Sequence, residues 1–158
     1  MRPRTWWLLG ALTVLTVASI AVYATTDRQA EIAAKGQQVM PFDLDRTTHR
    51  FAKSPTGGTQ TVVSDDTDDT QQIRLIRDHL TEEATRFEAG DYGDPASIHG
   101  REMPGLRQLE QGHQAVDVHY AETPTGAQIT YTTTDASMVT ALHAWFDAQI
   151  SDHGDHAS

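Results

Sequence analysis

Residues 50–63 read RFAKSPTGGTQTVV and residues 119–131 read HYAETPTGAQITY. The two stretches align: Arg50 with His119, Phe51 with Tyr120, and Pro55-Thr56-Gly57 with Pro124-Thr125-Gly126. Each predicts a strand, a Pro-Thr-Gly turn and a second strand. Proline presets φ early in a turn and glycine supplies positive φ later, the chemistry of a hairpin loop. Alternation supports the strands, with Val116, Val118 and Tyr120 on one face and Asp117 and His119 on the other.

A helix is expected after each hairpin. Ile73, Ile76, Leu80, Ala84 and Phe87 recur at helical spacing, with an Asp or Thr before Thr70 as cap and Gly90 at the end. Val139, Leu142, Phe146 and Ile150 make a second stripe, capped by Thr134 or Asp135 and ended by Gly154. The fold class that follows is α+β. A duplicated strand-strand-helix unit, with copies at about 48–89 and 116–152, forms a four-stranded antiparallel sheet with two helices on one face. The pattern leaves strand order open. The domain runs over 46–152, and 153–158 is expected as a flexible tail. An insertion, 91–112, interrupts the repeat. Pro104 is placed there in the first turn of a short helix with Leu106 and Leu109 as its apolar side. Loops on a rigid frame carry function, so this insertion is a natural place for a site.

The amino terminus bounds the compartment. Two arginines, Arg2 and Arg4, precede Trp6–Ala24, a run with no charge. The run is close to the roughly 20 residues a membrane-spanning helix needs, and longer than the about 7–15 of a cleavable signal core. Residues 1–24 are therefore read as a transmembrane signal-anchor, with the carboxyl-terminal domain outside the cytoplasm. Secretion after cleavage near Val22-Tyr23-Ala24 is the alternative. Residues 25–45 read as a spacer closed by Pro41, in which Thr26 to Gly36 can extend the anchor as a short helix.

The net charge is −10, with 22 acidic against 12 basic residues. No basic stripe exists to neutralise phosphates, which argues against nucleic acid as a partner. The membrane is the expected partner through the leader, beside a protein partner or a second copy. The run Asp65-Asp66-Thr67-Asp68-Asp69 lacks the glycine and closing glutamate of a calcium loop and reads as a solvated, helix-capping loop. The chain has no cysteine, which excludes disulfides, thiolate sites and a cysteine nucleophile. It also lacks GxSxG, GxxxxGK[ST], GxGxxG and HExxH, so nothing makes a positive case for an enzyme.

Eight histidines and four methionines in an exported chain point to metal. Imidazole is the commonest metal ligand, and thioether suits Cu(I). Four candidates stand out. His99 and Met103 are four apart in the Gly- and Pro-bounded segment His99-Gly100-Arg101-Glu102-Met103-Pro104. His49 aligns with Val118 and so falls on a core-facing position, where a histidine must bond a partner or a ligand. His143 borders the apolar stripe of the last helix, with Asp147 at i+4 as an orienting carboxylate. Each also has a plain structural explanation, as a core plug, a satisfied histidine or a surface pair. His79, His113 and His119 read as surface, while His153 closes the last helix and His156 lies beyond it, in an HGDH tail that either frays or loads metal loosely.

The words MPFDLDRTTHRF (40–51), DPASIHGREMPGL (94–106), ITYTTTD (129–135) and ALHAWFDAQISDHG (141–154) resemble a family of small bacterial proteins, mainly from actinobacteria. The resemblance spans nearly the whole exported part and implies no defined chemistry. Some members are called aspartate carbamoyltransferase. Enzymes of that class are much longer chains with a Ser-Thr-Arg-Thr phosphate loop and a His-Pro site, and neither motif occurs here. The expected function is an extracytoplasmic, membrane-anchored metal-binding protein of copper type. The alternative is a non-catalytic interaction or assembly domain at the outer face of the membrane.

Overall fold

The computed structural model describes residues 27–154 and 157–158. Helix α1 covers 27–39. A short 3-10 turn, Leu44–Arg46, leads into strands β1 (Thr47–Ser54) and β2 (Gly57–Ser64), followed by helix α2 (Thr70–Glu88). Two short helices, α3 (Gly93–His99) and α4 (Leu106–Gly112), precede strands β3 (Asp117–Thr123) and β4 (Gly126–Thr132). Helix α5 (Ala136–His153) closes the domain.

The fold is α+β, with one four-stranded antiparallel sheet in the order β1-β2-β4-β3. Each hairpin turns through two residues, Pro55-Thr56 and Pro124-Thr125, so Phe51 and Tyr120 stand at the same distance from their turns. The inner strands meet in a register that is its own mirror under the repeat. Gln60, the counterpart of Ile129, pairs with Ile129, and Gly57 opposite Thr132 is matched by Gly126 opposite Val63. The glycines are needed for this approach. A Cβ on Gly57 would lie 2.1 Å from the Tyr131 carbonyl oxygen, and one on Gly126 would lie 2.0 Å from that of Val62. Gly57 takes φ 140°, whereas Gly126 has no positive φ. The glycine shared by both turns thus answers to strand packing more than to turn conformation.

Side chains alternate across the sheet. Phe51, Val62, Ala127, Ile129 and Tyr131 form the buried face, with Val118 and Tyr120 partly buried beside them. Tyr131 touches Phe87 of α2 at 6.2 Å and Phe146 of α5 at 5.9 Å between ring centroids, so both helices cover this one face. Asp69 caps α2 by accepting from Gln72 N, and Asp135 caps α5 by accepting from Ser137 N. This is the local chemistry that starts a helix after an acidic loop.

The α2 stripe lies where the spacing puts it, with Ile73, Ile76, Leu80, Ala84 and Phe87 all buried. The α5 stripe is rotated from its expected position. Its buried side is Met138, Ala141, Leu142, Trp145, Phe146, Gln149 and Asp152, while Val139 and Ile150 are only half-buried. A helix apolar on much of its circumference has no sharp phase, so several stripes fit its sequence.

The insertion folds as α3 and α4; α4 is the expected short helix with Leu106 and Leu109 buried, though it begins at Leu106, two residues after Pro104. Gly105, at φ 80°, is the residue before α4. A Cβ there would meet the Ala141 carbonyl oxygen at 2.1 Å. Glycine is what lets the insertion seat directly on α5.

Residues 25–45, expected as a spacer, include α1 and the 3-10 turn. Helix α1 docks through Ile32, 2% exposed, and through Arg28, whose guanidinium grips Asp152 at 2.7 and 2.8 Å. Burying one isoleucine contributes about 1.5–3 kcal/mol. The ion pair adds about 1 kcal/mol once solvent screening of the half-exposed arginine is allowed for. These are small sums for ordering a helix. The expected tail also joins the fold. Ser158 O accepts from Phe51 N at 2.7 Å and Ser158 N donates to His49 O at 3.1 Å, along the edge of β1. The anchor expected over 1–24 lies outside the described residues. Among the described residues no helix is long and apolar enough to cross a membrane.

Candidate functional site

Between the sheet, α2, α3 and the end of α5 lies a cavity of about 40 Å³. Its polar wall comes from five elements: His49 of β1, Gln60 of β2, His79 and Glu83 of α2, Asp94 and His99 of α3, and Gln149 and His153 of α5. Phe42, Phe51, Phe87 and Trp145 form the apolar wall. An open cleft of about 290 Å³ under α1 adjoins it, lined by Ala30, Ala33, Leu44 and Asp152, and His49 and His153 line both spaces.

Three imidazoles meet where the spaces join. The rings of His49 and His153 are 5.3 Å apart between centroids and inclined at 31°, and those of His99 and His153 are 5.0 Å apart at 75°. His49 and His99 are 4% and 6% exposed. Among the described residues, no three His, Asp or Glu side chains already surround a point suited to a metal ion.

His99 Nδ1 lies 2.9 Å from Asp152 Oδ2, and Arg28 donates to both oxygens of that carboxylate. Burial disfavours the charged form of Asp152, but the bonds from Arg28 and His99 outweigh it and hold its pKa below the usual carboxylate range. Burial pulls the His99 pKa down against the attraction of Asp152. His99 is therefore neutral at neutral pH. A carboxylate only accepts, so the proton sits on Nδ1 and the Nε2 lone pair is left for a ligand. An imidazole oriented by a carboxylate in this way is the usual partner of a metal ion.

The other end of the cavity is acidic. Glu83, 6% exposed, has its pKa pushed up to about 8, first by burial and then by the neighbouring Asp94, which also shares a hydrogen bond with it. Arg86 opposes this from 3.8 Å, while bonding Asp94 at 2.9 Å. Glu83 therefore carries its proton at neutral pH. His79 is depressed by burial, against Asp94 and Glu82, and packs edge-on to Phe42 at 5.6 Å. The arrangement has two chemical capacities: neutral imidazoles to ligate, and a buried acid to give up a proton.

Of the four candidate ligands, the fold brings His49 and His99 together and leaves two elsewhere. Met103 is buried in the hydrophobic core and borders a separate surface groove with Arg101, Glu102 and Arg107. His143 sits at the first hairpin turn, where Nε2 lies 3.0 Å from Ser54 O and 2.9 Å from Gly57 O. That nitrogen donates to both carbonyls and clamps the turn. Asp147 does not orient it, because it pairs with Lys53.

His153, expected at the end of the last helix but set aside as fraying, lies in the last turn of α5 and in the cavity wall. The signal for it was available, since Ile150 to His153 is a step of three along that helix. Glu83 carried a signal of the same kind, since it lies seven after Ile76 and three after Leu80 on the α2 stripe, where a carboxyl must be paired or protonated. Comparison with protein-family models, with curated proteins and with solved structures finds no match for this chain.

Proposed function

We propose that this protein is an extracytoplasmic metal-binding module of copper type, tethered by its leader, with His49, His99 and His153 as ligands. The observation that carries the reading is the His99–Asp152 bond, which leaves a neutral imidazole with its Nε2 lone pair free beside a second and a third imidazole. Metal–nitrogen bonds are roughly 2.0–2.1 Å, so two imidazoles on one tetrahedral ion have ring centroids about 5 Å apart. The measured separations, 5.0 and 5.3 Å, are of that size. Binding then needs side-chain rotation to bring the three nitrogens to one centre.

Cavity size favours an ion over an organic substrate. Pockets for drug-sized molecules run to about 300–1,000 Å³, far above the 40 Å³ of this cavity. The adjoining cleft supplies a path of approach, and nitrogen ligands suit copper far better than calcium or magnesium. The repeat belongs to the same proposal, in which two copies of a strand-strand-helix unit build the frame, supported by the symmetric register of β2 and β4. Copper titration of the full chain and of single histidine variants tests the reading. If no variant and no wild type binds, the interaction-domain alternative is the better one.

A further inference from the structure

Two polar atoms in the wall of the 40 Å³ cavity have no hydrogen-bond partner among the described residues: the indole Nε1–H of Trp145 and the amide Oε1 of Gln149. The residues are 0% and 5% exposed, and both line the cavity together with Glu83. One is a donor and the other an acceptor. Buried groups of this kind are almost always paired, with protein or with ordered water. A water needs roughly 10–15 Å³ of such space and two to four polar partners. The cavity, at about 40 Å³, has room for two or three.

We propose that the cavity is a built water site. A short file of two or three waters accepts from Trp145 Nε1–H, donates to Gln149 Oε1 and ends on the Glu83 carboxyl, which passes its proton through the file toward the imidazole end. The step balances: the Glu83 O–H bond breaks, the first water takes that proton as the last gives one up to solvent base in the adjoining cleft, and a carboxylate remains. It needs no ion at the imidazoles, so it stands apart from the copper reading.

The groups that face Glu83 set its readiness to give the proton. Asp94 of α3 and Asp91 of the preceding loop hold the proton on, Arg86 draws it off, and Tyr131 of β4 is coupled to Glu83 across the core. His79 faces the same space from one turn back on α2. Glu83 thus carries its proton at neutral pH and releases it just above.

Water-contact NMR on the full, 15N-labelled chain in detergent micelles tests this. Trp6 and Trp7 also give indole signals, so a Trp145→Phe variant identifies the signal of Trp145. The expected result is a water cross-peak at the Trp145 indole proton, whose shift titrates with a midpoint near 8. In Glu83→Gln the cross-peak stays and the titration disappears, and in Gln149→Leu the cross-peak is lost. A folded wild type without the cross-peak, a titration unchanged in Glu83→Gln, or a cross-peak unchanged in Gln149→Leu overturns the proposal. Should Gln149→Leu fail to fold, the wild type and Glu83→Gln still decide.

Discussion

His99 and Asp152 lie 53 positions apart in the chain and meet in a buried 2.9 Å hydrogen bond. The bond joins the insertion between the two hairpins to the last turn of the last helix. Arg28 of α1 completes it from the leader side. Three segments that carry no strand are thus drawn to one carboxylate, at the mouth of the histidine cavity. Replacing Asp152 with alanine strands His99 and Arg28. Removing one partner of a buried ion pair costs about 3–5 kcal/mol, and the half-exposed arginine puts this case at or below the lower end. Asp152→Ala is expected to lower the melting temperature by several degrees. A melting temperature equal to wild type would show that the bond holds nothing together.

The docking of α1 sets where the domain begins. A chain of residues 27–158 keeps Ile32 buried and the Arg28–Asp152 pair, whereas 40–158 lacks both and leaves Asp152 with His99 alone. Both are expected to give a cooperative melt, with the shorter one less stable. Its deficit should be of the order of the 1.5–3 kcal/mol that one buried isoleucine contributes. Equal stability in denaturant titration would mean that α1 does not dock in solution.

Glu83 and His99 push stability in opposite directions with pH. The folded pKa of Glu83, about 8, stands above its ordinary 4.5, so the folded state holds a proton that the unfolded chain has released. Its contribution is fully present at low pH and is lost as pH rises from about 4.5 to 8. One pKa unit corresponds to about 1.4 kcal/mol, so the span is worth a few kcal/mol. His99 is depressed, so protonation of the unfolded chain takes stability away as pH falls below its ordinary 6.5. Glu83→Gln is expected to gain on wild type between pH 6 and 8.5 in denaturant unfolding. A constant difference across that window would place Glu83 in contact with solvent.

Phe51 and Tyr120 hold equivalent places in their hairpins but not equivalent environments. Phe51 is 6% exposed and packs on Phe146 at 5.3 Å between ring centroids, while Tyr120 is half-buried on the edge strand. Phe51→Ala is expected to cost about 3–5 kcal/mol, and Tyr120→Ala clearly less. Equal losses on thermal melting would contradict the burial described here.

The hairpins and the α2 stripe were legible because each rests on short-range chemistry. Pro-Thr-Gly turns fix the strands beside them, and an acidic cap followed by apolar residues at helical spacing fixes a helix. His49 was legible through the repeat, where it stood in the place of Val118. Strand order was not, since it depends on how the two hairpins dock, through Gly57 and Gly126. The site was half legible. His99 lay in a segment marked by its interruption of the repeat, but Met103 beside it turned into the core. His153 was set aside because it closes its helix, where ends fray, while the rotated phase of α5 concealed Trp145, Gln149 and Asp152. Arg28 was hidden in a stretch whose polar composition reads as a connector.

The central claim is that His49, His99 and His153 form one copper site. Cu(I) and Cu(II) titrations of the full chain in detergent, with competition by a chromophoric chelator, test it most directly. Wild type, His49→Ala, His99→Ala and His153→Ala are compared with Met103→Leu and His143→Gln. The expected result is one equivalent bound by wild type, weakened at least tenfold in each of the three cavity variants. The two control variants should match wild type, and binding should weaken as pH falls through about 6.5, where protons compete for imidazole nitrogen. Wild-type affinity in the three cavity variants, or loss of binding confined to Met103→Leu and His143→Gln, would contradict the site described here.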